Sequence, residues 1–221
     1  MDEFKGIIIN SIDYKEKSKI VYLYTPYGHD SVLAGGAKAI KNSLLAFTVT
    51  LNVVSYLKSN NKLSHMLEFK LIDSYYEMAS DIKNFDAISI IIKVIKAIPN
   101  DTNHNLAYNF IIKTLNEIRN GIDIKKAISI FLIKMLYVFG VNPNLSECAI
   151  CKNKNIVFFD IYKGISYCNN HSSIENLDVI KVWIEYYYDK KDFKDYSEVN
   201  YDRLIDDLIK YYNINCNLKL R

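Results

Sequence analysis

Three of the chain's four cysteines and one of its four histidines fall in two short hooks, Cys148-Ala-Ile-Cys151 and Cys168-Asn-Asn-His171, separated by sixteen residues. Thiolates and an imidazole at this spacing suit tetrahedral zinc, each hook forming a tight knuckle that aims two ligands at one ion. The intervening residues fit a small hairpin: Asn155-Ile-Val-Phe-Phe-Asp160 has strand composition, Gly164 supplies a turn, and Ile165-Ser-Tyr167 leads back. The pattern predicts a structural zinc ribbon with Cys148, Cys151, Cys168 and His171 as ligands. A catalytic zinc would keep one position open and need a nearby general base. A redox CxxC would belong to a βαβ unit, of which there is no sign. Cys216 stands alone and reads as a spare packed thiol.

Other catalytic patterns are missing. Gly35-Gly36 lies in neither a GxxxxGK[ST] nor a GxGxxG setting, no GxSxG elbow occurs, and His29, His65 and His104 are scattered. The HxE plus PCxxC signature of zinc deaminases is absent as well. The chain is expected not to be an enzyme.

The 221 residues are half apolar, with 24% charged, 7 Gly and 3 Pro, as expected of ordered globular protein. Lys and Arg number 28 against 25 Asp and Glu, a formal +3. Any attraction for nucleic acid must therefore be local. No run approaches the roughly 20 apolar residues that span a bilayer, and no cleavable leader is visible. A cytoplasmic location follows, where clustered cysteines bind metal more readily than they form disulfides.

Five strand-like runs come first: Gly6 to Ile12, Lys19 to Thr25, Asp30 to Ala34, Phe47 to Leu57 and Leu67 to Tyr75, with Pro26-Tyr-Gly28 as a tight turn. So many strands in so short a segment predict a closed five-stranded OB-fold β-barrel over residues 1–80, with an SH3-like barrel as the alternative. From Asp81 the apolar spacing becomes helical. Ile88 to Ile98 form one stripe, Leu106 to Ile118 a second, and Ile128 to Phe139 a third that Asp123 can cap and Gly140 can end. Two more helices, Ile174 to Tyr188 and about Tyr201 to Tyr212, follow the ribbon. The fold class is thus α+β and multidomain: the barrel, then an α-helical domain over 81–221 carrying an inserted zinc ribbon at about 146–173.

An OB barrel binds oligonucleotides over strands two and three and through neighbouring loops. Here the first loop gathers Lys15, Lys17 and Lys19 beside Tyr14, another holds Lys58 and Lys62, strand two carries Tyr22 and Tyr24, and Lys38 and Lys41 follow strand three. Aromatic rings among cations suit sequence-independent binding of single strands, by base stacking and phosphate contact. Lys15, Lys17, Lys19, Tyr22, Tyr24, Lys38 and Lys41 are the candidate DNA-binding residues. The bland alternative for the tyrosines is half-buried packing.

The order of parts, and two stretches of sequence, resemble the RecO family of bacterial recombination mediators. Lys19-Ile-Val-Tyr-Leu-Tyr-Thr25, then a glycine turn and Ser31-Val-Leu-Ala-Gly-Gly-Ala-Lys38, is similar to that family's second and third strands. Cys148-Ala-Ile-Cys151, Phe158-Phe159-Asp160, Gly164 and Cys168 are similar to its ribbon, with His171 where the family has a fourth cysteine. The resemblance implies a non-enzymatic DNA repair and recombination protein that binds single- and double-stranded DNA and anneals complementary strands. It would act with RecR to load RecA onto DNA coated by single-strand-binding protein (SSB), docking the SSB C-terminal tail, at the nucleoid in the cytoplasm. An adaptor whose barrel docks a protein, with DNA contact incidental, is the second hypothesis. A zinc-dependent nucleotide-modifying enzyme is the third.

Overall fold

A computed structural model of the chain describes residues 3–38, 49–59 and 64–220. The five expected strands are present as β1 (Phe4–Tyr14), β2 (Ser18–Thr25), β3 (Gly28–Ala34), β4 (Asn52–Lys58) and β5 (Met66–Ser74). They form one antiparallel sheet in the order β3-β2-β1-β4-β5. The long β1 serves two neighbours. Its first residues pair with β4, from Phe4 opposite Tyr56 to Ile7 opposite Val53, and its remainder pairs with β2 as far as Tyr14 opposite Ser18. A register shift between Ile8 and Asn10 lies where the two pairings meet, and a bulge of this kind bends and twists a strand enough for the sheet to curl.

The curl brings the ends of the sheet together. Leu33 at the end of β3 forms a parallel bridge with His65, just before β5, and its N–H donates to the Ser64 carbonyl at 2.8 Å. This strand order with β3–β5 closure is the OB arrangement rather than the SH3-like one. Period-two alternation fills the interior with Ile8, Val21, Leu23, Val32, Ala34, Val54 and Tyr56, with Phe4, Met66 and Phe69 packed against them.

Helical spacing takes over as expected: α1 (Tyr76–Ser80), α2 (Phe85–Lys96), α3 (His104–Arg119), α4 (Ile124–Phe139), α5 (Leu177–Tyr188) and α6 (Tyr201–Asn215). The short α1 is an addition to the expected helices, since no apolar stripe marks it. The change from strand to helix falls near residue 80, and α2 rests against β1. The compact units divide later, within α3, into Met1–Leu115 and Asn116–Arg221.

In the second unit α4 is buried on nearly every side, from Ala127 to Val138. Its ends are those the sequence marks. The Asp123 carboxylate accepts from the backbone N–H groups of Lys125 and Lys126 at 3.0 Å each, and Gly140 takes the left-handed conformation, φ 68°, at the C-cap. α5 and α6 pack on α4. The hairpin β6 (Ile156–Asp160) and β7 (Ile165–Cys168) is inserted between α4 and α5. It is fastened through Trp183 of α5, whose ring lies 4.9 Å from Phe159 of β6 and 5.5 Å from Tyr211 of α6.

Candidate metal centre and nucleic-acid interface

The β6–β7 hairpin returns the chain so that both hooks meet. Cys148 forms a bridge with Ser166, and the Ala149 N–H donates to the Ser166 carbonyl at 2.9 Å, laying the first hook beside β7. Each hook closes on itself: the Lys152 N–H donates to the Cys148 carbonyl at 3.0 Å and the His171 N–H to the Cys168 carbonyl at 2.8 Å. The tight turn of the first hook holds Lys152 at a positive φ of 64°.

The four side chains converge. Cys148 Sγ and Cys168 Sγ each lie 3.4 Å from His171 Nδ1, Cys151 Sγ lies 3.5 Å from Cys168 Sγ, and all four donor atoms fall within 4.8 Å of one another. Tetrahedral zinc with bonds of about 2.3 Å to sulfur and about 2.0 Å to nitrogen would separate its ligands by roughly 3.5–3.8 Å. The cluster could therefore hold a metal ion with little adjustment.

The electrostatics suit thiolate ligation. Burial works to raise the Cys148 thiol, but the backbone N–H groups of Cys151, Cys168 and Ile150, with the His171 ring, bring it down to about 6. At Cys151 the Asn153 backbone N–H lowers the thiol, yet burial and the neighbouring sulfurs of Cys168 and Cys148 outweigh it and leave it raised. Both shifts belong to a cluster that a cation would unify, since ligation requires deprotonated sulfur. The fourth cysteine, Cys216, is different in character: burial pushes its thiol up to about 12, as in an inert packed residue.

The barrel gathers most of the candidate cations at one end. The β1–β2 hairpin turns through Lys15, in the left-handed region at φ 52°, and exposes Lys15 and Lys17, with Lys19 half-buried at the start of β2. The chain leaving β3 returns to that hairpin, the Lys38 N–H donating to the Lys17 carbonyl at 3.1 Å. Lys15, Lys17, Lys19 and Lys38 thus share one rim. The Lys15 ammonium lies 5.4 Å from the centre of the Tyr14 ring, an association that i,i+1 spacing alone would not suggest. Among the described residues no carboxylate lies within ion-pair distance of Lys15, Lys17 or Lys19, whereas Lys38 is bound to Asp13 at 3.0 Å. Lys41 and Lys62 lie outside the described residues. Lys58 faces inward, bound to Asp30 at 2.7 Å.

The two tyrosines separate. Tyr22 is half-exposed on the outer surface of β2, opposite Asn10 and Ser31. Tyr24 is fully buried, and burial pushes its phenol well above the usual range. Its hydroxyl meets His104 Nδ1 at 3.0 Å and its ring packs edge-on against His29 and His104. A base cannot stack on Tyr24; it is a packing residue between the barrel and the start of α3. The space there is tight. Gly28, at φ 114°, has the His104 ring 3.1 Å from where a Cβ would sit. No local pattern signals this arrangement, because His104 is eighty residues from Tyr24.

Two family models match most of the chain, Recombination protein O N terminal over residues 1–75 and Recombination protein O C terminal over residues 79–191. The chain belongs to the RecO family. The first RecO model ends at the close of β5, and the second contains all four residues of the candidate metal centre. The DNA repair protein RecO of Bacillus mycoides is 30% identical over 172 residues, covering 76% of this chain and 69% of that protein. That of Halalkalibacterium halodurans is 28% identical over 156 residues, covering 69% of this chain and 61% of that protein. Among the described residues of this RecO-family chain, no helix is long and apolar enough to cross a membrane.

Proposed function

We propose that this chain is a DNA repair and recombination mediator that binds single- and double-stranded DNA through its barrel and promotes annealing of complementary strands. In this reading it helps RecR load RecA onto SSB-coated DNA, engages the SSB tail through the helical domain, and works at the nucleoid in the cytoplasm without catalytic turnover. The functional division is the barrel, 1–80, and the helical domain, 81–221, with the ribbon at about 146–173. What carries the proposal is that RecO-family membership extends over both halves of a chain whose OB barrel presents Lys15, Lys17 and Lys19 together at one rim. Phosphate-directed lysines neutralise the repulsion between two strands without reading sequence, and they leave base edges free to find their complements.

Zinc is the metal that the three thiolates and one imidazole favour, in a structural role, because four protein ligands leave no position for water. The centre then staples the hairpin that α5 packs upon.

One observation favours a second reading. Lys38 and Lys58 are held by Asp13 and Asp30, and Tyr24 is buried, which leaves fewer DNA-binding groups than the sequence suggests. A barrel that docks a protein partner, with DNA incidental, is consistent with that reduction. Strand annealing on complementary DNA precoated with SSB separates the two: a mediator accelerates it, while an adaptor leaves it at the uncatalysed rate and still sediments with RecR in the absence of DNA.

A further inference from the structure

We infer that the outer surface of the ribbon is a second contact site for single-stranded DNA, distinct from the barrel rim. The inference rests on the nucleic-acid reading proposed above, and it starts from the division of the hairpin into two faces.

Phe159 and Ser166 are buried opposite one another, on the side that meets Trp183. Strand alternation puts the adjacent pair, Phe158 and Tyr167, on the other side. There the two rings stack on each other at 6.3 Å with planes 18° apart, both half-exposed. Neither ring belongs to the buried core of the second unit. Aromatic surfaces exposed on a strand pair are what unpaired bases stack upon.

The charge around this face is of the matching sign. Residues 148–173 contain Lys152, Lys154 and Lys163 against a single carboxylate, Asp160, whereas residues 174–221 hold eight basic and ten acidic side chains. Lys152 and Lys154 project from the first knuckle, both exposed, and Lys163 is exposed at the hairpin turn. Lys152 is shared with Glu147 at 2.9 Å and Lys163 with Asp160 at 3.5 Å. Among the described residues no carboxylate lies within ion-pair distance of Lys154. Exposed amides of Asn153, Asn155, Asn169 and Asn170 fill the rest of the knuckle rim and can donate to phosphate oxygens. Cations at both ends of a short aromatic strip match a strand whose phosphates run past its unstacked bases.

The test is binding of a labelled oligothymidylate to the full-length, metal-loaded chain across a salt series. Replacing Lys152→Gln together with Lys154→Gln should flatten the dependence of log K on log salt by roughly 0.7 for each phosphate no longer neutralised. Replacing Phe158→Leu together with Tyr167→Leu should weaken binding on the order of tenfold and leave the salt slope unchanged. Metal content and the thermal midpoint report whether the aromatic variant keeps the ribbon; the lysine variant alters surface side chains only. The inference is overturned if both ribbon variants bind as the parent chain does while Lys15→Gln with Lys17→Gln weakens binding. If the parent chain itself fails to bind the oligonucleotide, the DNA reading falls and takes this site with it.

Discussion

Asp30 on β3 and Tyr56 on β4 are joined by a 2.5 Å hydrogen bond across the barrel, although their strands are not neighbours in the sheet. The same carboxylate oxygen accepts the Lys58 ammonium at 2.7 Å, and that ammonium lies over the Phe4 ring at 4.7 Å. The Asp30 carboxylate is thus a tie between the two sides of the closed sheet. It also takes Lys58 out of the set of residues free to meet phosphate.

Removing this tie should cost stability in two steps. Tyr56→Phe deletes one hydrogen bond and should cost about 1 kcal/mol, while Asp30→Ala leaves a buried phenol and a shielded ammonium without their acceptor and should cost about 2–3 kcal/mol. Urea unfolding of the full chain measures both. An Asp30→Ala chain as stable as the parent would show that the tie contributes nothing.

Acid should loosen the first unit through His29. Burial against Tyr24 and the nearby His104 lower its pKa, only partly opposed by the Ile98 carbonyl at 3.3 Å. Folding therefore favours the neutral ring. Above the ordinary value of 6.5 both folded and unfolded chains hold it neutral, and no penalty applies. As pH falls from 6.5 toward the lowered folded value, the unfolded chain takes up the proton first and stability declines. His29→Gln should flatten the pH dependence of the melting temperature in that window; an unaltered slope would assign the effect elsewhere.

Metal removal should act on the second unit. Trp183 touches Phe159 of the hairpin, so chelation, Cys148→Ser or Cys168→Ser should shift tryptophan fluorescence and lower the midpoint of the transition it reports. Elemental analysis should give one zinc per chain, absent from both variants. A chain purified without zinc yet unchanged in its unfolding would refute the structural role.

A buried lysine makes a separate prediction for the same unit. Lys126 of α4, only 5% exposed, donates to the carbonyls of Lys194 (3.3 Å) and Tyr196 (2.8 Å) and to Glu198 (2.7 Å). It fastens the segment between α5 and α6. Lys126→Met keeps the stem's packing but strands those carbonyls, at about 1–3 kcal/mol. Hydrogen exchange should show residues 190–200 losing protection first; uniform protection would mean that the ammonium is dispensable.

What is legible in the sequence follows from the range of the interactions involved. Strand alternation, the Asp123 cap, Gly140 and the hook spacing are local, and each places its element within a few residues. His171 is readable because three-residue spacing alone brings it to Cys168. Interactions between distant segments are not readable. Tyr24 has the sequence setting of a stacking residue because only the fold brings His104 onto it, and Lys38 and Lys58 read as free because Asp13 and Asp30 reach them from other strands. Which face of the hairpin turns inward, with Phe159 buried and Phe158 outward, is set by Trp183 arriving from a later segment, which a run of apolar letters does not announce.

The central claim is that the barrel rim holds DNA by its phosphates. The most direct measurement is single-strand affinity as a function of salt, for the parent chain and for a Lys15→Gln, Lys17→Gln, Lys19→Gln variant. The account predicts a steep fall in affinity with salt in the parent and a slope shallower by about 2 in the variant, roughly 0.7 for each lysine removed. Binding that ignores salt, or a variant whose slope and affinity match the parent's, would contradict it.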